Sequence, residues 1–304
     1  MYVVKVEDLY KSFGSIKALR GLNAVFPKGI CGLIGPNGSG KTTFIHILMG
    51  LVRPDRGKAF VLGFDCWRDS VEIRRRIGVL LEDMYFPGHL TVREYIEHIV
   101  RIKGGDRGDV LEIAEDIGLE RYLNRKIHTL SAGMFKMLGL MQALVGEPEL
   151  VILDEPSANL DPLKRRNLLE YIMKVGRERD VSFLISSHVL PELEEICEWI
   201  VLIYEGRAVN QGSLGDLYAK YGTNEYEVVS DKPKLLAKLI KEYGVGEVLY
   251  IHGNRVNVSN TCYKEFTEFL YKFSKDIKIF SFKPVGGLEN VFRQAIKNIS
   301  ERAG

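Results

Sequence analysis

The sequence predicts an α/β fold, a parallel sheet flanked by helices over residues 1–220, followed by a small α+β domain over residues 221–304. Three observations carry this prediction. Short β-branched runs alternate with longer helical patterns through the first 220 residues. Three of those runs, at 30–34, 150–153 and 181–185, are near-continuous apolar stretches, as strands covered on both faces require. After residues 218–222 the texture changes: strands at 225–229, 247–251, 256–258 and 277–282 interleave with helices at 233–243, 263–273 and 288–299. That order, βαββαβα, suits a split-βαβ arrangement.

Composition narrows the function classes. The 304 residues, 46% hydrophobic and 27% charged, suffice for two domains with cores of their own. Lys+Arg 42 against Asp+Glu 40 leaves a net charge of +2, without the concentrated positive charge that nucleic-acid binding rests on. No apolar run approaches the roughly 18 residues that cross a bilayer. The four cysteines, at 31, 66, 197 and 262, never pair as CxxC, which points to a reducing compartment and away from a disulfide framework or a zinc site. The start of the chain carries Lys5, Glu7 and Asp8 and no secretory h-region, so a cytosolic protein is expected.

The first element with chemistry follows the strand at 30–34. Gly35-Pro36-Asn37-Gly38-Ser39-Gly40-Lys41-Thr42-Thr43 fits G-x-x-x-x-G-K-[ST] between a strand and a helical run. Glycines let successive N–H groups turn toward phosphate oxygens, and the helix N-terminus adds its positive end. Lys41 supplies a point charge to the β- and γ-phosphates, and the Thr42 hydroxyl can ligate Mg²⁺. The strand at 150–153 ends in Asp154-Glu155-Pro156, and two adjacent acids on a buried strand tip are costly unless a cation or reacting group meets them. One can hold Mg²⁺ while the other faces an attacking water. An ordinary strand end also carries acids, but not commonly beside a phosphate loop.

With these motifs the chain resembles the nucleotide-binding subunit of an ATP-binding-cassette (ABC) transporter over nearly all of residues 1–220. Leu130-Ser131-Ala132-Gly133-Met134 is similar to the family's LSGGQ signature, Ser157-Ala158-Asn159-Leu160-Asp161 to its D-loop, and Ile185-Ser186-Ser187-His188 to its switch histidine. Phe13 stands where the family stacks an aromatic ring on adenine. The resemblance implies a P-loop ATPase domain with an inserted helical subdomain at about 83–145. It also implies a head-to-tail dimer, of two copies or with a related ATPase subunit, that sandwiches two Mg²⁺-ATP. Ser131 and Gly133 of one copy would meet the phosphates held by residues 35–43 of the other. Glu155 would polarise water, His188 would contact the γ-phosphate, and Asp161 would sit at the dimer contact. Three positions depart from the family pattern. Glu82 replaces a Gln that can ligate the metal, Ala132 replaces a signature glycine, and Phe135-Lys136-Met137 follows where the family usually offers Gln, Lys or Arg, Met137 lacking the polar contacts of an arginine.

The resemblance further implies a separate integral membrane permease, so that the chain lies peripherally on the inner face of the cell membrane. Met84, Tyr85 and Phe86, ahead of Pro87-Gly88, form an apolar group expected to contact that permease. The extension from 221 resembles the small domain of exporter-type members, which favours export. Two other functions fit the motifs less well: a cytosolic, non-transport ABC ATPase, and a weakly hydrolysing regulatory subunit of a heterodimer.

Overall fold

The computed structural model describes residues 2–104, 107–158, 160–221 and 224–303, with the backbone alone at 107–109 and 298–303. Asn159 of the segment 157–161, and Gly222, where the composition shifts, lie outside the described residues. The chain forms two compact units that divide between Gln211 and Gly212, earlier than the 220/221 boundary the composition suggested.

The first unit begins with β1 (Tyr2–Phe13), β2 (Ile16–Pro27), β3 (Ile30–Ile34), α1 (Lys41–Leu48), β4 (Arg56–Val61), β5 (Phe64–Asp65), α2 (Ser70–Arg76) and β6 (Ile77–Leu80). Three helices follow, α3 (Val92–Lys103), α4 (Arg107–Asp116) and α5 (Ala132–Leu144). The unit continues with β7 (Leu150–Asp154), α6 (Pro162–Glu178), β8 (Ser182–Ser187), α7 (Leu190–Ile196), β9 (Trp199–Tyr204) and β10 (Arg207–Ser213). The central sheet has the order β10-β9-β3-β8-β7-β6, and β9-β3-β8-β7-β6 pair in parallel. Every residue of β3, β7 and β8 is buried, in keeping with their near-continuous apolar runs. β10 joins by a two-residue turn, Glu205-Gly206, with φ of 46° and 74°, the double left-handed turn that matches strand twist.

A second sheet, β2-β1-β4-β5, is antiparallel and was not read from the sequence. Alternation in β1 breaks where the pairing shifts between Val6 and Leu9, with Asp8 in the left-handed region at φ 47°. Val6 and Leu9 of β1, Phe26 of β2, Phe44 and Ile47 of α1 and Ile152 and Leu184 of the central sheet share one core. The helix that starts at Lys41 is therefore clamped along its apolar side, which fixes the loop before it.

The second unit contains α8 (Leu214–Tyr221), β11 (Tyr226–Ser230), α9 (Pro233–Tyr243), β12 (Glu247–His252), β13 (Arg255–Ser259), α10 (Tyr263–Lys272), β14 (Ile279–Pro284) and α11 (Gly287–Ala303). Its sheet, β12-β13-β11-β14, is antiparallel throughout. Val228, Val256 and Val258 pack there against Leu236 and Ile240 of α9 and Phe266 and Phe269 of α10. Of the aromatics at helical spacing in α10, Phe266 and Phe269 are core, whereas Tyr271 is exposed.

Candidate functional site

The site stands at the C-terminal ends of the parallel strands. From β3 the backbone turns through Gly35–Gly40, and two glycines take conformations that disfavour a side chain: Gly38 at φ 78° and Gly40, the N-cap of α1, at φ 106°. Gly35 is needed for a different reason, because a Cβ there would lie 2.4 Å from the Ile203 carbonyl oxygen and 2.6 Å from Ser39 Oγ. Pro36 accepts from Ser39 N at 3.1 Å, and Ser39 accepts from Gly206 N at 2.9 Å, which ties the loop to the β9–β10 turn. Ser39 Oγ is buried without a hydrogen-bond partner among the described residues.

An open cavity of about 850 Å³ lies beside this loop. It is lined by Phe13, by Asn37, Gly38, Gly40, Lys41, Thr42 and Thr43, and by Glu82, Asp154 and Glu155. Ten of the residues singled out in the sequence thus share one cleft. Phe13 is 49% exposed, with Lys11 Nζ 5.2 Å from its ring centre. Lys17 and Arg20 also line the cleft and were not found from the sequence, because no motif marks them.

The carboxylates arrive on β7. Asp154 Oδ1 accepts from the Ser186 hydroxyl, and Asp154 Oδ2 accepts from Thr42 Oγ1 at 3.4 Å. Glu155 follows with φ 47°, a left-handed conformation that costs a non-glycine residue about 1–3 kcal/mol and persists only where surroundings hold it. Glu155 N donates to Ser186 O at 3.1 Å and to Ser186 Oγ at 3.2 Å. Its side chain is buried, with Oε2 2.8 Å from His188 Nδ1. Among the described residues Oε1 has no hydrogen-bond partner, and Lys41 Nζ stands 3.8 Å away. Lys41 itself, also buried, donates to Gly35 O at 2.7 Å and Pro36 O at 3.4 Å. Ser186 is a residue whose role the motif alone did not reveal. It faces Asp154 across the β7–β8 ladder, and that register is invisible in one dimension.

Lys136 of α5 reaches the same place. Its Nζ donates to Glu82 O at 3.2 Å and Glu155 O at 3.4 Å. Burial pushes the Lys136 ammonium pKa down, opposed by the negative charges of Glu82, Asp154, Asp83 and Glu155.

The remaining expected residues lie outside the cleft. Ser131 is the exposed N-cap of α5, its Oγ accepting from Met134 N at 3.4 Å. Gly133 is buried beside Lys164 and Leu160, where a Cβ would meet Lys164 Cδ at 3.0 Å. Asp161 caps α6 by accepting from Lys164 N at 3.0 Å and pairs with Lys164 Nζ at 2.8 Å, contacts that lower its carboxyl pKa. The apolar group 84–86 is divided: Tyr85 is 98% exposed, whereas Phe86 is buried against the edges of Tyr95 and Phe135. Phe86 is core, and the expected contact surface there is reduced to Tyr85 and the half-buried Met84.

Hard oxygen donors at Thr42 and Asp154 suit Mg²⁺, which binds through few protein oxygens together with phosphates and water. Among the described residues no cluster of three or more His, Cys, Asp or Glu side chains forms a self-sufficient metal cage. No helix among them is long and apolar enough to cross a membrane.

This geometry coincides with similarity to known proteins. The ABC transporter family profile matches residues 20–158. The bacitracin transport ATP-binding protein BcrA of Bacillus licheniformis is 36% identical over 211 residues, 69% of either chain. The solved ATP-binding subunit of an ABC transporter superposes with a TM-score of 0.66 at 27% identity, covering 72% of this chain and 93% of that one. The dimeric structure of MJ0796, a bacterial ABC transporter cassette, shares the fold at a TM-score of 0.64 and 23% identity, over 69% and 98% of the two chains. A P-loop preceding a clamped helix, a carboxylate pair at the end of β7, two strands away in the same sheet, and this relationship lead to one conclusion: the chain belongs to the ABC transporter family of ATP-binding proteins and is an ABC-type ATPase.

Proposed function

We propose that this chain is the ATP-hydrolysing subunit of an ABC transporter, binding Mg²⁺-ATP at a head-to-tail dimer interface and driving a separate membrane permease on the cytoplasmic side. The observation that carries the hydrolytic assignment is Glu155: one carboxylate oxygen is fixed by His188 at 2.8 Å and the other is buried without a hydrogen-bond donor beside Lys41. A buried acceptor in that condition needs a donor, and an attacking water supplies one. Glu155 orients and polarises the water, and His188 holds Glu155 in place. Lys41 and the N–H groups of the loop receive charge from the phosphates in the in-line transfer. Thr42 and Asp154 are the groups that would hold Mg²⁺, whose charge supplies electrostatic stabilisation to the phosphoryl oxygens. Glu82, at the cleft edge, is a further candidate oxygen ligand.

The dimer reading draws support from Ser131, exposed at a helix start, where the backbone favours anions, and from the dimeric state of the MJ0796 cassette. Gly133, in the first turn of that helix, is buried against Lys164, the residue that pairs with Asp161. The partner is a second copy or a related ATPase subunit. The permease reading draws on the bacitracin transport function of the relative BcrA and on fully exposed Tyr85. Export is the direction we favour, from the C-terminal extension.

Glu155→Gln tests the proposal. Turnover should fall about 10²- to 10⁴-fold, the usual contribution of a positioned base. ATP should still bind, and a nucleotide-dependent dimer should accumulate on gel filtration. Turnover at the wild-type rate would overturn the assignment.

A further inference from the structure

Lys136 does something in this structure that the motif reading does not account for. It stands on α5, five positions past the capping Ser131, yet its ammonium reaches the backbone of two separate site segments, Glu82 O at 3.2 Å and Glu155 O at 3.4 Å. Those carbonyls leave the ends of neighbouring parallel strands, β6 and β7. α5 can bring Lys136 there because it lies directly on β6. A Cβ on Gly78 would fall 1.7 Å from Ala143 O, and one on Gly139 would fall 2.5 Å from Leu80 Cδ1. Lys136 is three residues before Gly139, on the same helical face, so the close approach that Gly139 permits also aims Lys136 at the strand ends. Around it stand the carboxylates of Glu82, Asp83, Asp154 and Glu155. The Glu155 carbonyl it holds belongs to the residue whose φ of 47° must be maintained by its surroundings.

We propose that Lys136 is a positioning residue for hydrolysis, fixing the backbone of Glu155 to the helix that begins at Ser131. Its ammonium is a two-way clamp. It holds Glu155 in the left-handed conformation from which the side chain meets His188, and it holds the Glu82 segment against the same point. Because Ser131 caps the same rigid helix five positions before Lys136, a displacement of Ser131 by a second subunit is carried through Lys136 to this chain's own catalytic carboxylate. The inference rests on the reading of Glu155 as the base.

The test uses the full-length chain, with Mg²⁺-ATP turnover followed by phosphate release and a non-hydrolysable ATP analogue used for affinity. Lys136→Met keeps the length and removes the ammonium. Its kcat should fall about 10- to 100-fold, as small misplacement of a reacting group does, while KM and analogue affinity stay within about twofold, since the interaction acts on chemistry rather than on uniform binding. Lys136→Arg should recover most of the loss. In a Glu155→Gln background, Lys136→Met should add almost nothing, because a clamp on an absent base has nothing left to position. Wild-type kcat in Lys136→Met would overturn the proposal. So would an equal loss in Lys136→Arg, a loss of analogue affinity parallel to that of kcat, or a further 10-fold loss on top of Glu155→Gln. If Glu155→Gln alone turns over normally, the base assignment fails instead, independently of Lys136.

Discussion

The two units use their sheets in opposite ways. In the first, β3, β7 and β8 run parallel, so the segments leaving them all emerge at one edge. Residues 35–43, 154–155 and 186–188, far apart in sequence, meet there around one cleft. In the second unit every strand pair is antiparallel, so successive turns fall at alternate edges and their polar residues are kept apart. Its interior is instead a cluster of rings: Tyr226 lies 6.2 Å from Phe266, and Phe266 lies 5.7 Å from Phe269 and 5.5 Å from Phe282. Phosphate chemistry needs donors and carboxylates from several chain segments at one point, and a parallel sheet delivers them to one edge. The antiparallel sheet delivers a stable body with no comparable convergence.

That contrast can be broken by experiment. Phe266→Ala, at a fully buried position, should cost the second unit about 3–5 kcal/mol, read as an early transition in denaturant unfolding. ATP analogue affinity should be unchanged below that transition; its loss in parallel would show that the phosphate site depends on the second unit's core. Gly78→Ala tests the first unit. The added Cβ, 1.7 Å from Ala143 O, forces α5 away from β6 and should cost about 1–3 kcal/mol as overpacking does, with turnover lowered through the displaced helix. Normal turnover in the folded variant would mean that the placement of α5 does not reach the site. The smallest effect concerns helix ends. α3 carries a complete capping box, with Thr91 and Glu94 satisfying each other's backbone donors, whereas α10 begins at Cys262 with no side-chain cap. Thr91→Ala should lower stability by about 1 kcal/mol in chemical denaturation. Cys262→Ala should leave it unchanged, because no cap is lost.

The phosphate loop was legible because its parts are contiguous: strand, glycine turn, lysine and helix follow one another, and local backbone preference sets their geometry. The second unit's elements were legible for a similar reason. Its first strand, expected at 225–229, lies at Tyr226–Ser230, and the helix after it lies at Pro233–Tyr243 as expected, since period and punctuation agree there. The antiparallel sheet of the first unit was not legible, because the bulge at Asp8 shifts the side-chain alternation of β1 partway along. Phe86 reads as an exposed loop aromatic until Tyr95 and Phe135, on two different helices, close over it. The roles of Ser186 and Lys136 were equally hidden, one behind strand register and the other behind the contact of a helix with a sheet.

The sequence by itself determined which groups are available to phosphate and water: Lys41, Thr42, Asp154, Glu155 and His188 stand in motifs whose chemistry is set by residue type and local spacing. The tertiary structure alone decided that Glu155 is held at φ 47° with one oxygen tied to His188 and the other left without a donor, and that Lys136 and Ser186 secure its backbone. Residue type is a property of one position. A buried orphan acceptor is a property of everything packed around it, and it exists only once β6, β7, β8 and α5 have come together.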